Sequence, residues 1–465
     1  MDYLSGQFLY RFYKKLLLTY NLFSHERRNP LKGWDEKDIS SFHWKTALVA
    51  GAGQFVDGHD LTAGSLVFSL IEQSLGQGLA GASTILFLSI ILGNATGALL
   101  FGYLARHGRK KFYGIDAALM TLGAVAQAFV TNAVELAVVR FLLGVGIGAD
   151  YVLSPTITAG YANRKDRGKL MGVAGGLMWN VGALASTLVA LAVVPDLPAD
   201  AAWRVVLALG AVPALLVVYF RRRFPETPRY LLYIKGDVEG LRGSYGLDVG
   251  EAPRASVNWG KVAVPLFLAA LAWYLYDVAA YAGVFFGPNV IAEKIGVNGI
   301  VFELIVLAGF TVPGNFTSAV LNDRVGRRLL QAIGFAGMGV ATLAFALYGL
   351  KGSVMAALLL FGLSSAMNSL GPGTIVGFWG AELFPTSIRG VTSGVTVIGG
   401  RLGVITTTLL VPVLVQAFGL QSTMVVLALV SFAGAGVTMA LREPSQRSLD
   451  EVEFLEEVAR PEFTE

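Results

Sequence analysis

Apolar stretches of about 20 residues recur along nearly the whole chain, and they constrain the fold more than any other feature. A bilayer core about 30 Å thick needs about 20 apolar residues per spanning helix. Because lipid satisfies no backbone polar group, each stretch must be helical. The sequence therefore predicts an all-α membrane protein with twelve transmembrane helices. The predicted spans are 46–71, 82–105, 111–132, 136–161, 169–194, 203–222, 261–287, 299–320, 329–350, 353–380, 388–414 and 421–441.

Composition and charge placement agree with a membrane protein. Hydrophobic residues make up 54% of the 465 residues and charged residues only 15%, whereas soluble domains carry about 25% charged residues. The net charge of +4 does not indicate a nucleic-acid partner, because 31 of the 36 Lys and Arg residues fall on the side of the two termini. The positive-inside rule predicts that both termini are cytoplasmic. We expect a multi-pass protein of the inner or plasma membrane.

Landmarks in the loops recur at a nearly constant separation. GRKK begins at Gly108 and GRRL at Gly326, 218 residues later, and an Arg-Gly pair recurs 222 residues after Arg167. Such a repeat indicates two similar halves. The predicted segments are a cytoplasmic N-terminal tail (1–44), an N-terminal six-helix bundle (45–222), a cytoplasmic linker loop (223–260), a C-terminal six-helix bundle (261–441) and a cytoplasmic C-terminal tail (442–465).

The cytoplasmic loops resemble those of the major facilitator superfamily. DRVGRR at 323–328 resembles its loop signature, and GYLARHGRKK at 102–111 resembles a degenerate first copy that lacks the acidic residue. PETPRYL at 225–231, AELFPTSIRG at 381–390 and REPSQRSLDEVE at 442–453 resemble motifs of its sugar and metabolite symporters. The resemblance implies two pseudo-symmetric six-helix bundles that rock around a central site.

Arg and carboxylate residues in these motifs are expected to pair at the cytoplasmic mouth and to hold one conformation. We predict pairs of Asp323 with Arg327 and of Glu382 with Arg389. The alternative is that positive-inside topology alone accounts for the basic loops. The gating or structural residues predicted from the sequence are Arg109, Arg140, Asp323, Arg327, Glu382 and Arg389.

Ionisable residues inside the spans indicate what the protein does. Each costs roughly 2.5–3.5 kcal/mol at the bilayer centre on insertion scales, so these residues should face one another or water. Asp57 and Asp60 share a helix face by their spacing, and their repulsion favours one shared proton. For Asp150, a permanent ion pair with Arg140 is the alternative to titration. The predicted proton-coupling residues are Asp57, Asp60, Asp150 and Asp277.

Span 4 resembles the signature of phosphate:proton symporters, in RFLLGVGIGADYVLSPTITAGYANRKDRG at 140–168. WYLYDVAAY in span 7 resembles their Trp and Asp pair, GGRLG in span 11 places an Arg where they carry a substrate-binding Lys, and FVDGHD in span 1 matches their proton-coupling Asp. The resemblance implies that the substrate contacts residues of both halves. We expect the substrate site to contain Tyr151, Trp179, Trp273, Asp277 and Arg401.

Two departures from that family leave the substrate open. Trp179 replaces its Gln in span 5, and Gly373 replaces its Asn in span 10. Both changes suit a carboxylate as well as phosphate. The guanidinium of Arg401 stays charged and offers forked donors to either anion. We therefore predict a proton-coupled symporter of a small anion, inorganic phosphate or an organic carboxylate, that works by alternating access.

Other functions are less well supported. A proton-coupled sugar transporter is the main alternative, and a non-transporting nutrient receptor is less favoured because it would not need coupling carboxylates. The GVGIG run at 144–148 indicates close helix packing, since no strand precedes it as a nucleotide loop requires. Nothing in the pattern indicates an enzyme, a metal site or a cofactor beyond the proton gradient. We expect a monomer, and sodium in place of protons stays open.

Overall fold

Helices form nearly all of the computed structural model, which describes residues 29–75, 82–221, 223–250 and 257–449. The final long run, Arg389–Met439, contains Gly419 in a non-helical conformation (φ 79°, ψ 163°), so it is two helices. The long helices of the described chain are α1 Ser41–Leu66, α2 Ala82–Leu104, α3 Ile115–Gln127, α4 Ala133–Tyr161, α5 Arg167–Val193, α6 Ala199–Arg221, α7 Trp259–Phe286, α8 Gly299–Val325, α9 Arg327–Leu347, α10 Val354–Leu370, α11 389–418 and α12 420–439.

The twelve-helix prediction is confirmed. Nine helical runs of the described residues are long and apolar enough to cross a membrane, and the run Arg389–Met439 supplies two helices instead of one. The other two helices are α1, whose apolar sequence is interrupted by charged residues, and α3, which has 13 residues. The boundaries of the five predicted segments stay a prediction.

Glycine residues let helices pack with their backbones in contact, as membrane helices do. Between α2 and α4, a Cβ atom on Gly144 would lie 2.2 Å from the carbonyl oxygen of Ile90, and one on Gly148 would lie 1.9 Å from that of Asn94. The run at 144–148 is therefore a packing site. Between α7 and α11, a Cβ atom on Gly403 would lie 2.4 Å from the carbonyl oxygen of Tyr274.

The two halves meet where α2 packs against α11, α1 against α7 and α5 against α8, and α4 also packs against α11. A Cβ atom on Gly394 of α11 would lie 2.7 Å from the carbonyl oxygen of Ala98 of α2. The hydroxyl of Ser65 on α1 donates to the carbonyl oxygen of Val284 on α7 (3.0 Å). The third contact, between α5 and α8, is made by amide side chains described below. These crossings leave a space between the halves at mid-depth.

Asp35, before α1, holds together three segments on the side of the two termini. Its buried carboxylate accepts hydrogen bonds from Arg229 in the linker and from Ser448 near the C-terminus. It also accepts one from the amide nitrogen of Asn29 (2.9 Å). Burial raises the pKa of Asp35, but Arg229 and the two neutral donors outweigh burial and hold this pKa below its ordinary value of 3.8.

Replacing Asp35 by asparagine is expected to lower the stability of the protein in detergent at neutral pH. Removing one partner of a buried ion pair costs about 3–5 kcal/mol. Because the folded-state pKa is the lower one, the carboxylate stabilises the fold fully above its unfolded-state pKa and loses this effect only as acidification passes through the folded-state pKa. Thermal unfolding of the two proteins should therefore differ at neutral pH and converge in strong acid.

A matched control is Asp38→Asn, because the Asp38 side chain is 93% exposed. This variant should unfold like the wild type at every pH. Equal melting temperatures for the wild type and Asp35→Asn at neutral pH would contradict the role given to Asp35.

Candidate functional site

A buried cavity of about 140 Å³ lies between the two halves. Helices α1, α4 and α5 line it from the N-terminal half, and α7, α8, α10 and α11 line it from the other half. All five side chains that the sequence predicts for a substrate site line this cavity: Tyr151, Trp179, Trp273, Asp277 and Arg401. The fold thus gathers residues that are up to 250 positions apart in the chain.

Asp57 is the carboxylate of the N-terminal half at this site. It is 1% exposed, and one of its oxygens accepts hydrogen bonds from the hydroxyl of Tyr151 (2.6 Å) and the indole N–H of Trp179 (2.6 Å). These three residues belong to α1, α4 and α5. Trp179 stands where the phosphate:proton symporters that this chain resembles carry a Gln. Its indole N–H donates to Asp57.

Arg401 is the basic group of the C-terminal half at this site. Its Nη1 donates to the hydroxyl of Tyr281 (3.1 Å) and lies 3.9 Å from a carboxylate oxygen of Asp277. Its guanidinium carbon lies 4.6 Å from the ring centre of Tyr151, which belongs to the other half. A buried guanidinium on α11 is therefore flanked by carboxylates of both halves, directly by Asp277 and through Tyr151 by Asp57.

Asp277 is positioned by the close packing of α7 against α11. A Cβ atom on Gly400 would lie 2.7 Å from Oδ2 of Asp277 and 2.5 Å from the indole nitrogen of Trp273. Any larger residue at Gly400 would therefore push both side chains out of place. Glycine at this position allows α11 to present Arg401 and α7 to present Asp277 at the same depth.

Asp60 and Arg140 lie apart from the cavity, although the sequence predicts a shared proton for Asp57 and Asp60. Asp60 faces α6, where a Cβ atom on Gly210 would lie 2.7 Å from its carboxylate. Arg140 donates to the amide oxygen of Gln127 (3.1 Å). Asp57 and Asp60 are only three positions apart on one helix, but they contact different helices, and no hydrogen bond joins them in the described chain.

Asp150 pairs with a different arginine from the one considered above. Its carboxylate accepts a hydrogen bond from Arg221, at the end of α6, and not from Arg140. Arg221 also pairs with Asp116 of α3, so one guanidinium bridges two buried carboxylates. The sequence does not predict this cluster, because Arg221 lies at the very end of a span, where a basic residue fits the positive-inside rule without a buried partner. Gln54, which lines the cavity, donates to Asp150 (2.9 Å) and links the cluster to it.

The polar position lost at Gly373 is filled by another residue. The amide oxygen of Asn368 lies 2.7 Å from where a Cβ atom of Gly373 would be, and the hydroxyl of Tyr276 lies 3.2 Å from it. Helix α10 ends at Leu370, and a new helical turn begins at Pro372. The break brings Asn368 into the cavity beside Gly373, which residue spacing on a regular helix would not predict.

On the side of the two termini, charged groups from both halves close the cavity. Glu382 accepts hydrogen bonds from Nε of Arg167 (2.5 Å) and Nη2 of Arg327 (3.0 Å). Asp323 accepts from Nη1 of Arg327 (2.8 Å) and from the backbone N–H of Gly168 (2.9 Å), in the first turn of α5. The predicted Asp323–Arg327 pair is thus present, and the two carboxylates tie α5 to the C-terminal half.

The predicted pair of Glu382 with Arg389 is wrong. Nε of Arg389 donates to the carbonyl oxygen of Phe384 (3.2 Å), while Arg167 takes the place beside Glu382. Proximity in sequence favoured Arg389, but the closing of the two halves brings in Arg167 from the other bundle. Arg109 also crosses between the halves, and its Nη2 donates to the carbonyl oxygen of Thr386 (3.0 Å).

A second layer of contacts lies between this charged cluster and the cavity. The amide nitrogen of Asn180 on α5 donates to the amide oxygen of Asn315 on α8 (2.8 Å). Asn315 in turn donates to the hydroxyl of Thr374 (2.9 Å). These neutral hydrogen bonds can break at low cost, because such bonds contribute only about 1 kcal/mol each.

Replacing Glu382 by glutamine is expected to open the cavity on the side of the two termini. The change leaves two buried guanidinium groups against a neutral amide, at a cost of about 3–5 kcal/mol. The chain contains no cysteine, so a single cysteine at Ala174, which lines the cavity, reports access from that side. Its labelling by a membrane-impermeant maleimide should become at least about tenfold faster.

The control is Asp166→Asn, which breaks an ion pair with Lys169 (2.6 Å) on the same side of the molecule but inside one half. This variant should leave the labelling rate unchanged. An unchanged rate in Glu382→Gln would contradict the closure by this cluster.

Comparison with known proteins gives concordant matches. A family model described as "Sugar (and other) transporter" matches residues 31–455. A "Probable inorganic phosphate transporter 1-10" of Oryza sativa subsp. japonica is 30% identical over 446 residues, with 80% of each chain covered. A "Repressible high-affinity phosphate permease" of Neurospora crassa is 28% identical over 524 residues, with 93% of this chain and 91% of the permease covered.

A solved structure has the same fold. The proton:xylose symporter XylE of the major facilitator superfamily, bound to 6-bromo-6-deoxy-D-glucose, superimposes with a TM-score of 0.79 at 20% identity. The match covers 90% of this chain and 99% of that one. At this identity the likeness concerns the arrangement of helices alone, and it extends over both halves.

Proposed function

The chain belongs to the sugar (and other) transporter family, within the major facilitator superfamily, and from that premise we propose that it is a proton-coupled symporter of inorganic phosphate. The observation that carries this proposal is a buried guanidinium, Arg401, flanked by carboxylates of both halves in the cavity between them. Relatives named as phosphate transporters, which match over most of their length, support the substrate. The sugar alternative is less favoured.

The charges of the cavity explain why an anion would need protons. With Asp57 and Asp277 ionised, the two carboxylates and Arg401 sum to one negative charge, which repels phosphate. A proton on either carboxylate brings the sum to zero, and a proton on both leaves the positive charge of Arg401 for a monoanion. Unit charges about 4 Å apart interact by about 4 kcal/mol at an effective dielectric constant of about 20, so these changes decide whether an anion binds.

Tyr151 connects the proton site with the substrate site. Its hydroxyl donates to Asp57, while its ring lies against the guanidinium of Arg401. A proton on Asp57 weakens the acceptor of this hydrogen bond, so the hydroxyl becomes available to a phosphate oxygen beside Arg401. Loss of that proton would draw Tyr151 back to Asp57 and weaken phosphate binding.

Alternating access then requires that the cavity open to one side at a time. We place both termini and the cluster around Glu382 in the cytoplasm, and the protein in the inner or plasma membrane as a monomer. The charge segregation of the loops supports this orientation. The cluster would break when the cavity opens to the cytoplasm, and the Asn180–Asn315 bond would break with it.

The test is uptake of labelled phosphate into proteoliposomes with an alkaline interior. Phosphate should accumulate under the pH gradient, and a protonophore should abolish accumulation. An excess of unlabelled phosphate should compete, whereas xylose, glucose and small dicarboxylates should not. Competition by sugars or carboxylates in place of phosphate would refute the substrate, and accumulation that a sodium gradient alone drives would refute proton coupling.

A further inference from the structure

Glu303 is a buried carboxylate of the cavity that the mechanism above does not use. It lies in the second turn of α8 and is 8% exposed. Val306, Leu307 and Thr311 line the cavity with it. Their spacing of three, four and eight residues from Glu303 puts all four on one face of the helix. The side chain therefore belongs to the wall of the cavity and not to the lipid surface.

No charged group compensates Glu303 within the described part of the chain. The segments packed against this part of α8 are Met178–Val193 of α5, Gly287–Ile291 after α7, Ala292–Lys294 and α10. The only charged residues among them are Glu293 and Lys294, and both side chains are exposed at the surface. The Glu303 carboxylate forms neither an ion pair nor a hydrogen bond with a described residue.

An uncompensated carboxylate in a membrane needs a proton or another cation for part of the time. Placing a charged side chain at membrane depth costs roughly 2.5–3.5 kcal/mol on insertion scales, and neutralisation removes this cost. A purely structural role does not need a carboxyl group here, because Glu303 forms no hydrogen bond with the described residues. No cluster of acidic or histidine side chains that suits a metal ion is found in the described residues, which leaves a proton as the simplest ligand.

The position of Glu303 along the membrane normal indicates from where that proton comes. Glu303 is four residues from the start of α8, or about 6 Å at 1.5 Å per residue. Asp277 is nine residues from the end of α7, or about 14 Å from the same side. Both of these helix ends lie opposite the termini. Glu303 is therefore nearer than Asp277 to the aqueous phase on that side.

We propose that Glu303 is a further proton-binding site of the transporter, on the entrance side of the cavity opposite the termini. The carboxylate takes a proton from water on that side before the anion enters, and it returns the proton to the water of the cavity when the other side opens. This inference rests on the proposed anion transport. Glu303 thereby extends the proton path from the centre of the cavity to its outer entrance.

The transport test compares the wild type with Glu303→Gln, which mimics the protonated side chain. If the anion binds only when Glu303 is protonated, the KM of the wild type rises by about tenfold per pH unit once the carboxyl ionises, whereas the variant lacks this rise. The substrate itself also titrates, so the ratio of the two KM values at each external pH isolates Glu303. A ratio that does not change with pH would overturn the proposal.

Two further variants serve as controls for this comparison. Glu293→Gln, on the exposed turn at the same end of the molecule, should keep the wild-type pH dependence. Glu303→Asp, which retains a carboxylate, should keep a pH-dependent KM and so excludes a general defect of folding. Loss of the pH dependence in Glu293→Gln, or its loss in Glu303→Asp with counterflow intact, would also argue against the proposal.

An infrared measurement separates this inference from the proposed function. A pH titration of the purified protein without substrate should show the carbonyl band of a protonated carboxylic acid, and Glu303→Gln should remove one such component. If the wild type fails to transport phosphate but this component is present, the substrate is wrong and the proton site remains. If the difference spectra of the two proteins are identical, Glu303 binds no proton in this range.

Discussion

Replacing Arg401 by glutamine is expected to lower phosphate uptake by about 100-fold or more. Arg401 is the only basic residue among the described residues that line the cavity. Removing one partner of a buried ion pair costs about 3–5 kcal/mol, and 1.4 kcal/mol corresponds to a factor of ten. Without the guanidinium, Asp57 and Asp277 would face the anion as negative or neutral groups with no positive charge to bind it.

The measurement is the initial rate of uptake in proteoliposomes, together with the quenching of Trp179 and Trp273 fluorescence by phosphate. Arg401→Lys keeps the charge but not the fork of donors, so its uptake should be intermediate. Arg204→Gln serves as the control, because Arg204 pairs with Asp200 (3.0 Å) away from the cavity. Uptake by Arg401→Gln within about twofold of the wild type would contradict substrate binding at Arg401.

Replacing Asp57 by asparagine is expected to abolish accumulation of phosphate under a pH gradient while counterflow continues. Asparagine has nearly the same shape and can still accept from Tyr151 and Trp179, but it cannot exchange a proton. The two halves would therefore still alternate with bound substrate. Coupling to the gradient would be lost, because the site no longer changes charge during the cycle.

Asp60→Asn is the matched control for this experiment. Asp60 is three residues further along the same helix and equally buried, but it faces Gly210 of α6, whereas Asp57 accepts hydrogen bonds from two residues that line the cavity. This variant should retain accumulation. If Asp60→Asn abolishes accumulation and Asp57→Asn does not, then the proton pathway runs through the interior of the N-terminal bundle. Accumulation by Asp57→Asn in proteoliposomes would refute the assignment of Asp57.

The cavity also shows how the departures at Trp179 and Gly373 fit an anion site. Trp179 supplies a hydrogen-bond donor in place of the Gln, since its indole N–H donates to Asp57. Asn368 places an amide beside Gly373. Both substitutions therefore keep a polar cavity. The reason is geometric, because the break in α10 at Gly371 changes which residues face inward.

Much of the fold and part of the site were predictable from the sequence. Hydropathy predicted the twelve helices because an apolar segment in lipid must satisfy its own backbone hydrogen bonds, which a helix does. Buried charges pointed to Asp57, Asp277 and Arg401, because such groups are costly in a membrane unless they face a cavity. Glu303 and Asp116 are also ionisable residues inside predicted spans, but the sequence-based prediction of the site does not include them.

What the tertiary structure alone decided is the choice of partners. Proximity in sequence favoured Glu382 with Arg389, and a permanent pair of Asp150 with Arg140 was left open, but the structure pairs Glu382 with Arg167 and Asp150 with Arg221. Hydropathy records how polar a residue is and not which helix it faces. The recurring apolar stretches therefore determined that this chain is a twelve-helix membrane protein. The packing of the two halves decided which charges meet, because contacts between distant helices depend on their rotation and depth.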